Sequence, residues 1–202
     1  MIYAVFALLA WSPQHRPLPR RHRSRPAVCS IDELLVAQTD ELLQQLDLAE
    51  EEPEDSLKIS DIHAKGIAPL RPAVWSSEFP DREDAIKTLS DMLDQLEVAS
   101  SASSGPLLAG SSFSSCDAQC YPTFCLLSWT LPKHFGWYEY TTDALFWKRP
   151  RLHSWFELCS YETPCAQAAA RIEEALQAID YWPSISVDVP TNKLRRNMRK
   201  DI

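Results

Sequence analysis

Glycine is scarce in this chain, and acidic residues are missing from its beginning. Only 4 of the 202 residues are glycine. Phosphate-binding loops and dinucleotide fingerprints need closely spaced glycines, because the backbone must approach the phosphate without a Cβ in between. The sequence therefore disfavours the common nucleotide-binding folds, and we predict no cofactor.

Long apolar runs and catalytic motifs are also missing. The apolar run from Ile2 to Trp11 is about ten residues long, too short to cross a hydrocarbon core of roughly 30 Å as a helix. No transmembrane segment is predicted. The formal net charge of −8 argues against nucleic-acid binding as a main function, since phosphate contact needs a basic surface. Without a catalytic motif, the sequence favours a non-enzymatic protein.

The beginning of the chain is basic, and its first acidic residue is Asp32. The run from Ile2 to Trp11 has the length of a signal-peptide core, and an acid-free, arginine-rich segment follows it, as in organellar transit peptides. This layout resembles the bipartite leaders of nucleus-encoded proteins in algae with complex plastids. We predict a cleavable targeting leader over residues 1–29 and a plastid or other organellar location. The alternatives are secretion, or a basic arm with a nuclear-localisation patch at residues 20–23.

The remaining sequence divides by composition. Residues 30–98 are predicted to be an acidic helical region, residues 99–115 a flexible Ser/Ala/Gly linker, residues 116–192 an aromatic-rich α+β region, and residues 193–202 a basic tail. A segment dominated by serine, alanine and glycine buries little apolar surface, and for this reason we expect a linker there. About 170 residues suffice for one domain with a real core.

Three helices are predicted from caps and apolar periodicity. Ser30 and Glu33 have the spacing of a capping box, opening a helix to about residue 49. Asp81 is a candidate cap for a helix whose apolar stripe runs from Ala85 to Leu96. Thr163 followed by Pro164 predicts the start of a third helix, to Ile179. Residues 50–80, which contain four prolines, are predicted to be irregular.

Four strands are predicted from alternation and short apolar runs. They are Phe124–Thr130, Tyr138–Phe146, Trp155–Tyr161 and Ile185–Val189. With the third helix before the last strand, this order predicts an α+β fold. Its small, mainly antiparallel sheet lies over about residues 121–190, with a helix packed on it and acidic amphipathic helices before it.

Aromatic residues concentrate between Tyr121 and Tyr161, and most of them are expected in the core. Some of the rings lie beside basic residues, which favours a surface for a protein partner, with a peripheral membrane or a pigment as alternatives. A second basic group lies in the tail, where a solvated tail is the alternative. The candidate partner-binding residues are Trp137, Trp147, Lys148, Arg149, Arg151 and Trp155 in the first group and Lys193, Arg195, Arg196 and Arg199 in the second.

Five cysteines lie within fifty residues of one another, at spacings that match no familiar zinc or iron–sulfur pattern. Disulfides are predicted if the protein is secreted and thiols if its compartment is reducing. No metal is predicted. The candidate cysteines are Cys116, Cys120, Cys125, Cys159 and Cys165.

The weak catalytic candidates are His134, His153, Cys159 and Glu157, which combine a nucleophile with potential bases. Their spacing establishes no triad, because such sites are defined by geometry. The sequence therefore predicts a non-enzymatic accessory subunit or assembly factor of an organellar complex. A secreted, disulfide-supported binding module is the alternative, and a small His/Cys enzyme is the second alternative.

Overall fold

A computed structural model describes residues 30–49, 51–76, 78–137 and 145–179. Within these ranges the helices are α1 (Ile31–Gln45), α2 (Glu54–Asp61), α3 (Pro72–Trp75), α4 (Arg82–Ala102), α5 (Ser115–Phe135), α6 (Pro150–Ser160) and α7 (Thr163–Gln177). The described residues contain no strand, only an isolated bridge between Leu48 and Phe113. The predicted α+β fold with an antiparallel sheet is therefore wrong, and the described fold is helical.

Helix α1 begins at the predicted capping box. The Glu33 amide donates to Ser30 Oγ over 3.2 Å, and the Ser30 amide donates to Glu33 Oε2 over 2.8 Å. These bonds satisfy amides that have no partner within the helix. The helix then buries Ile31, Leu35 and Leu42 on one face, at the spacing that the sequence predicts.

Residues 54–75 are largely helical, although their prolines predicted an irregular segment. Helix α2 continues into a π-helical turn (Ile62–Ile67), a 3₁₀ turn (Ala68–Leu70) and α3. Pro72 occupies the first turn of α3, where its missing amide is not needed. Gly66 in the π-helical turn lies against α4, and a Cβ there would come within 2.6 Å of Met92 Sδ. Glycine thus permits the close contact between this segment and α4.

Helix α4 confirms the second predicted helix. Ala85, Leu89, Leu93 and Leu96 are buried along one face. Asp81 stands at the N-cap position with a left-handed φ of 47°, but its side chain makes no capping bond. The start of α4 therefore lacks the side-chain cap that the sequence predicts.

The segment expected to be a flexible linker packs against the fold. Its first residues lie within α4, and its last residue begins α5. Between the two helices, Leu107, Leu108 and Ala109 are buried in the same core as residues from both sides. Three apolar residues in this serine-rich stretch thus suffice to fix it on the core.

Helix α5 is buried on most of its surface and contacts α1, α2, α3, α6 and α7. The predicted strand Phe124–Thr130 lies within it, which corrects that assignment. Pro122 and Pro132 also lie inside the helix, which continues through both. Gly136 ends it with a φ of 73°, the left-handed conformation that glycine adopts most readily.

Helices α6 and α7 complete the core. The predicted strand Trp155–Tyr161 is wrong, because this segment lies mainly in α6 with Trp155 and Cys159 buried. The third predicted helix is confirmed as α7, with Pro164 in its first turn. Most of the predicted strand Tyr138–Phe146, all of Ile185–Val189, the basic tail and the predicted leader lie outside the described residues.

Candidate binding cleft

An open cleft lies between the second half of α5, the start of α6 and the residues just before α6. Its volume is about 590 Å³. Three indole or phenyl rings contribute to its walls, together with two groups that can carry charge. The lining residues are Ser128, Pro132, Trp137, Leu145, Phe146, Trp147, His153 and Glu157.

Helix α6, one wall of this cleft, is held at its N-terminus by a carboxylate from α4. Glu97 accepts hydrogen bonds from the Arg151 amide over 3.0 Å and from the Leu152 amide over 2.9 Å. These amides have no partner within the helix, and the positive end of the helix dipole favours the negative charge. Glu97 therefore fixes where α6 begins.

The buried Arg149, immediately before α6, makes a second connection to α4. Its guanidinium donates to Asp94 Oδ1 over 2.8 Å, to Ser90 Oγ over 2.9 Å and to the Leu145 carbonyl over 2.9 Å. Arginine suits this position because its planar donors reach several acceptors at once. These bonds hold both α6 and the residues that line the cleft.

Both arginines of the predicted basic surface point into the fold. Arg149 is only 4% exposed. Arg151 is partly buried and donates to the carbonyls of Ser100 and Leu107. Lys148, between Trp147 and Arg149, is exposed. The expectation that this basic segment stays at the surface thus holds for Lys148 and fails for Arg149.

The three tryptophans predicted to bind a partner occupy different environments. Trp155 has no exposed surface, and its indole donates to Asp117 over 2.8 Å. Trp137 is buried but lines the cleft. Trp147 is 53% exposed at the edge of the cleft. Trp155 therefore belongs to the core, and Trp147 is the ring available to a partner.

His153 and Glu157 lie one turn apart on α6, both at the cleft. The imidazole Nε2 lies 3.5 Å from Glu157 Oε1, and the ring lies tilted against Phe146 with 5.0 Å between centroids. A carboxylate and an imidazole at this distance can hold a donor group of a ligand or exchange a proton with it.

A smaller groove of about 170 Å³ adjoins the cleft at Ser128. Helices α5, α6 and α7 form it through Trp129, Phe156 and Glu173. Lys133 stacks over the Trp129 ring, with its ammonium 3.6 Å from the ring centroid, and so stabilises one side by a cation–π contact. The cleft and the groove share Ser128 on α5, and aromatic side chains line both of them.

The weak catalytic candidates are not assembled into one site. Cys159 is 1% exposed and faces Cys125 and Cys165 in the core. Its hydrogen bond with Cys165 and its burial raise the pKa of this thiol far above the usual range, and a protonated thiol is a poor nucleophile. His134 lies near the end of α5 with its ring 5.8 Å from Trp129; burial and Lys133 lower its pKa.

The candidate cysteines are free thiols, and each is buried. Burial, with the neighbouring Asp117, raises the pKa of Cys116 to about 12, and burial raises that of Cys125 to about 12. In the part of the chain that the structure describes, no three His, Cys, Asp or Glu side chains form a group able to hold a metal ion. The basic residues Lys193, Arg195, Arg196 and Arg199 lie outside it.

Two buried polar groups were missed by sequence reasoning. Asp117, in the first turn of α5, accepts bonds from the Leu108 amide, the Ser114 amide, the Ser114 hydroxyl and the Trp155 indole, at 2.8 to 3.1 Å. The Ser114-x-x-Asp117 spacing is a capping pattern that marks this carboxylate. It joins the serine-rich segment, α5 and α6.

The second group is His63 in the π-helical turn. Its Nε2 lies 2.9 Å from Thr123 Oγ1 on α5, and Arg71 donates to the same hydroxyl over 3.4 Å. Burial, and then the charge of Arg71, lower the pKa of His63 to about 4. No sequence signal marks this pair, since the two residues are sixty positions apart.

No model of a known protein family, no curated protein and no solved structure matches this chain. Among the helices that the structure describes, none combines the length and the apolar character needed to cross a bilayer.

Proposed function

We propose that this chain is a non-catalytic interaction subunit, an accessory or assembly factor of a larger organellar complex, and that its cleft receives an apolar anchor of a protein partner. The observation that supports this is Trp147, an indole 53% exposed at the edge of an aromatic cleft. Tryptophan is among the residues that contribute most to binding when a partner covers them.

The rigidity of the cleft wall supports the same function. Glu97 and Arg149 fix α6 before any partner arrives, through hydrogen bonds of 2.8 to 3.0 Å. A wall held in its bound position loses little conformational entropy on association, so more of the contact energy is available as affinity.

Removal of the exposed indole tests this function. Tagged wild-type chain, Trp147→Ala and Tyr161→Ala are expressed in the native source and purified with their partners. Tyr161 is a matched control, because it is 85% exposed but does not line the cleft. We expect a defined set of proteins to be lost with Trp147→Ala and retained with Tyr161→Ala. Equal recovery of the same proteins with all three chains would refute a role for the cleft.

The organellar location is a separate part of the proposal. It rests on the acid-free, arginine-rich first thirty residues, and amino-terminal sequencing of the native protein tests it. A start near residues 28–31 supports import into an organelle. A start near residue 13 supports the alternative, a secreted binding module using the same cleft, and an intact Met1 contradicts both.

A further inference from the structure

The cleft between α5 and α6 combines aromatic rings with a carboxylate. Among the described residues that line it, Glu157 is the only aspartate, glutamate, lysine or arginine, and its side chain is 62% exposed. Glu157 Oε1 lies 3.5 Å from His153 Nε2, and the centroid of the His153 ring lies 5.0 Å from that of Phe146. The carboxylate, the imidazole and the phenyl ring are therefore neighbours in the cleft, and Trp147 lies at its edge.

We infer that the partner's anchor in this cleft is an arginine side chain, which covers the aromatic rings and donates hydrogen bonds to Glu157. The inference rests on the proposed function and gives the chemistry of the anchor, because the aliphatic stem of arginine supplies the apolar part. A guanidinium is attracted to the face of an aromatic ring and matches a carboxylate with two parallel hydrogen bonds. A purely apolar side chain would instead shield the Glu157 carboxylate from water without supplying a donor.

The ring of Phe146 is supported from behind by the core. Its centroid lies 5.5 Å from that of Phe156 on α6 and 6.2 Å from that of Phe124 on α5, with which it is stacked. Phe124 has no exposed surface. Because these contacts already hold the ring, little conformational entropy is lost when a side chain packs against it.

The basic residues next to Trp147 in the sequence do not fill the cleft. Arg149 is turned towards α4, where its Nη2 lies 2.7 Å from Asp94 Oδ1, and Lys148 is exposed and does not line the cleft. The adjoining groove contains the type of contact that we infer, since the Lys133 ammonium lies 3.6 Å from the centroid of the Trp129 ring. One aromatic ring of this region thus already binds a cation of the chain itself.

The charge of the chain favours a basic partner. The formal net charge is −8, although both the first 29 residues and the last ten are basic. The residues between them are therefore more acidic than the whole chain, and a surplus of one sign attracts partners of the opposite sign. The overall charge and the carboxylate in the cleft thus favour the same kind of side chain.

Binding of N-acetyl-arginine amide to the full chain tests the inference, with N-acetyl-citrulline amide as an uncharged probe of nearly the same shape. Binding is followed by nuclear magnetic resonance through the Trp147 indole N–H signal, which is assigned by its loss in Trp147→Ala. We expect a dissociation constant on the order of 1 to 10 mM for the arginine probe and one at least about fivefold higher for the citrulline probe. Glu157→Gln should weaken binding of the arginine probe about fivefold. The matched control is Glu174→Gln, at an exposed glutamate of α7 that does not line the cleft, and it should leave binding unchanged.

Three results of the titration would overturn the inference: equal affinity for the two probes, equal affinity of the wild type and Glu157→Gln for the arginine probe, or no binding of that probe. Tighter binding by a chain that ends at residue 192 would also overturn it, because the basic tail of the chain itself would then occupy the cleft.

Purification of the native partners with Glu157→Gln separates this inference from the proposed function. Loss of the same proteins with Trp147→Ala and with Glu157→Gln supports an arginine anchor. Loss with Trp147→Ala alone refutes the arginine anchor and leaves the interaction role in place. Full recovery with both variants refutes the interaction role itself.

Discussion

Replacement of His63 is predicted to remove a large part of the dependence of stability on pH. His63 is 6% exposed, and its pKa falls from 6.5 to about 4 through burial and the nearby Arg71. In the unfolded chain its imidazole returns to its ordinary pKa. Between these two values the unfolded chain binds a proton that the folded chain does not, so acid favours unfolding.

The magnitude follows from the separation of the two pKa values. Each unit is equivalent to about 1.4 kcal/mol, so this one group should lower the free energy of unfolding by about 3 kcal/mol between about pH 7 and pH 4. The stability that the neutral imidazole of His63 contributes is fully present above the pKa of the unfolded chain. It is lost as the pH falls towards the pKa of the folded protein. Most of the loss should come between about pH 6 and pH 4.

The assay is urea denaturation of the wild type and His63→Gln across this pH range, followed by far-UV circular dichroism. Glutamine retains a polar group for Thr123 but takes up no proton. Asp32 and Asp117, whose pKa values are raised mainly by burial, contribute with the opposite sign, but they are present in both proteins. His153→Gln, at an exposed histidine, controls for loss of an imidazole elsewhere. Parallel stability curves for the wild type and His63→Gln would refute the reasoning.

Three further variants test the packing around the cleft by chemical denaturation at neutral pH. Asp117→Asn places an amide among four hydrogen-bond donors and should lower the free energy of unfolding by about 2 to 4 kcal/mol. The control Asp91→Asn, on the exposed face of α4, should change it by less than about 0.5 kcal/mol. Arg149→Lys removes the guanidinium that donates to Asp94 and Ser90 on α4, and should lower the free energy of unfolding by about 2 kcal/mol. An unchanged denaturation midpoint would show that these two residues do not hold α6. Gly136→Ala forces a side chain into a left-handed φ of 73° and should cost about 1 kcal/mol, and a neutral result would contradict that geometry.

Helices with one apolar face were predictable from the sequence, and the helix buried on most sides was not. Leu89, Leu93 and Leu96 recur on one side of α4 while the other side is charged, so the helical period is visible. In α5 every residue from Cys120 to Leu127 is buried, so the helical period is not visible there, and Phe124–Thr130 consequently has the pattern of a core strand. Pro122 and Pro132 lie inside α5, although proline lacks the backbone donor that a helix interior uses.

The cleft was predictable only in part. The aromatic and basic composition around Trp147 indicated a surface, and Trp147 is indeed exposed. The roles of Arg149 and Arg151 were not visible, because most of their acceptors lie on α4 and in the serine-rich segment, more than forty positions earlier. Charged residues in a local run indicate solvent exposure on average, but tertiary partners decide the individual case.

The carboxylate of Asp117 makes the serine-rich stretch before α5 intolerant of changes in length. Leu108 and Ser114, six positions apart, both donate backbone amides to it, so an inserted or deleted residue between them would break at least one bond to a buried charge. Outside that interval, Ser104 and Gly105 are exposed. An epitope or fluorophore inserted at Ser104 should leave the protein folded, whereas the same insertion at Ser111 should not.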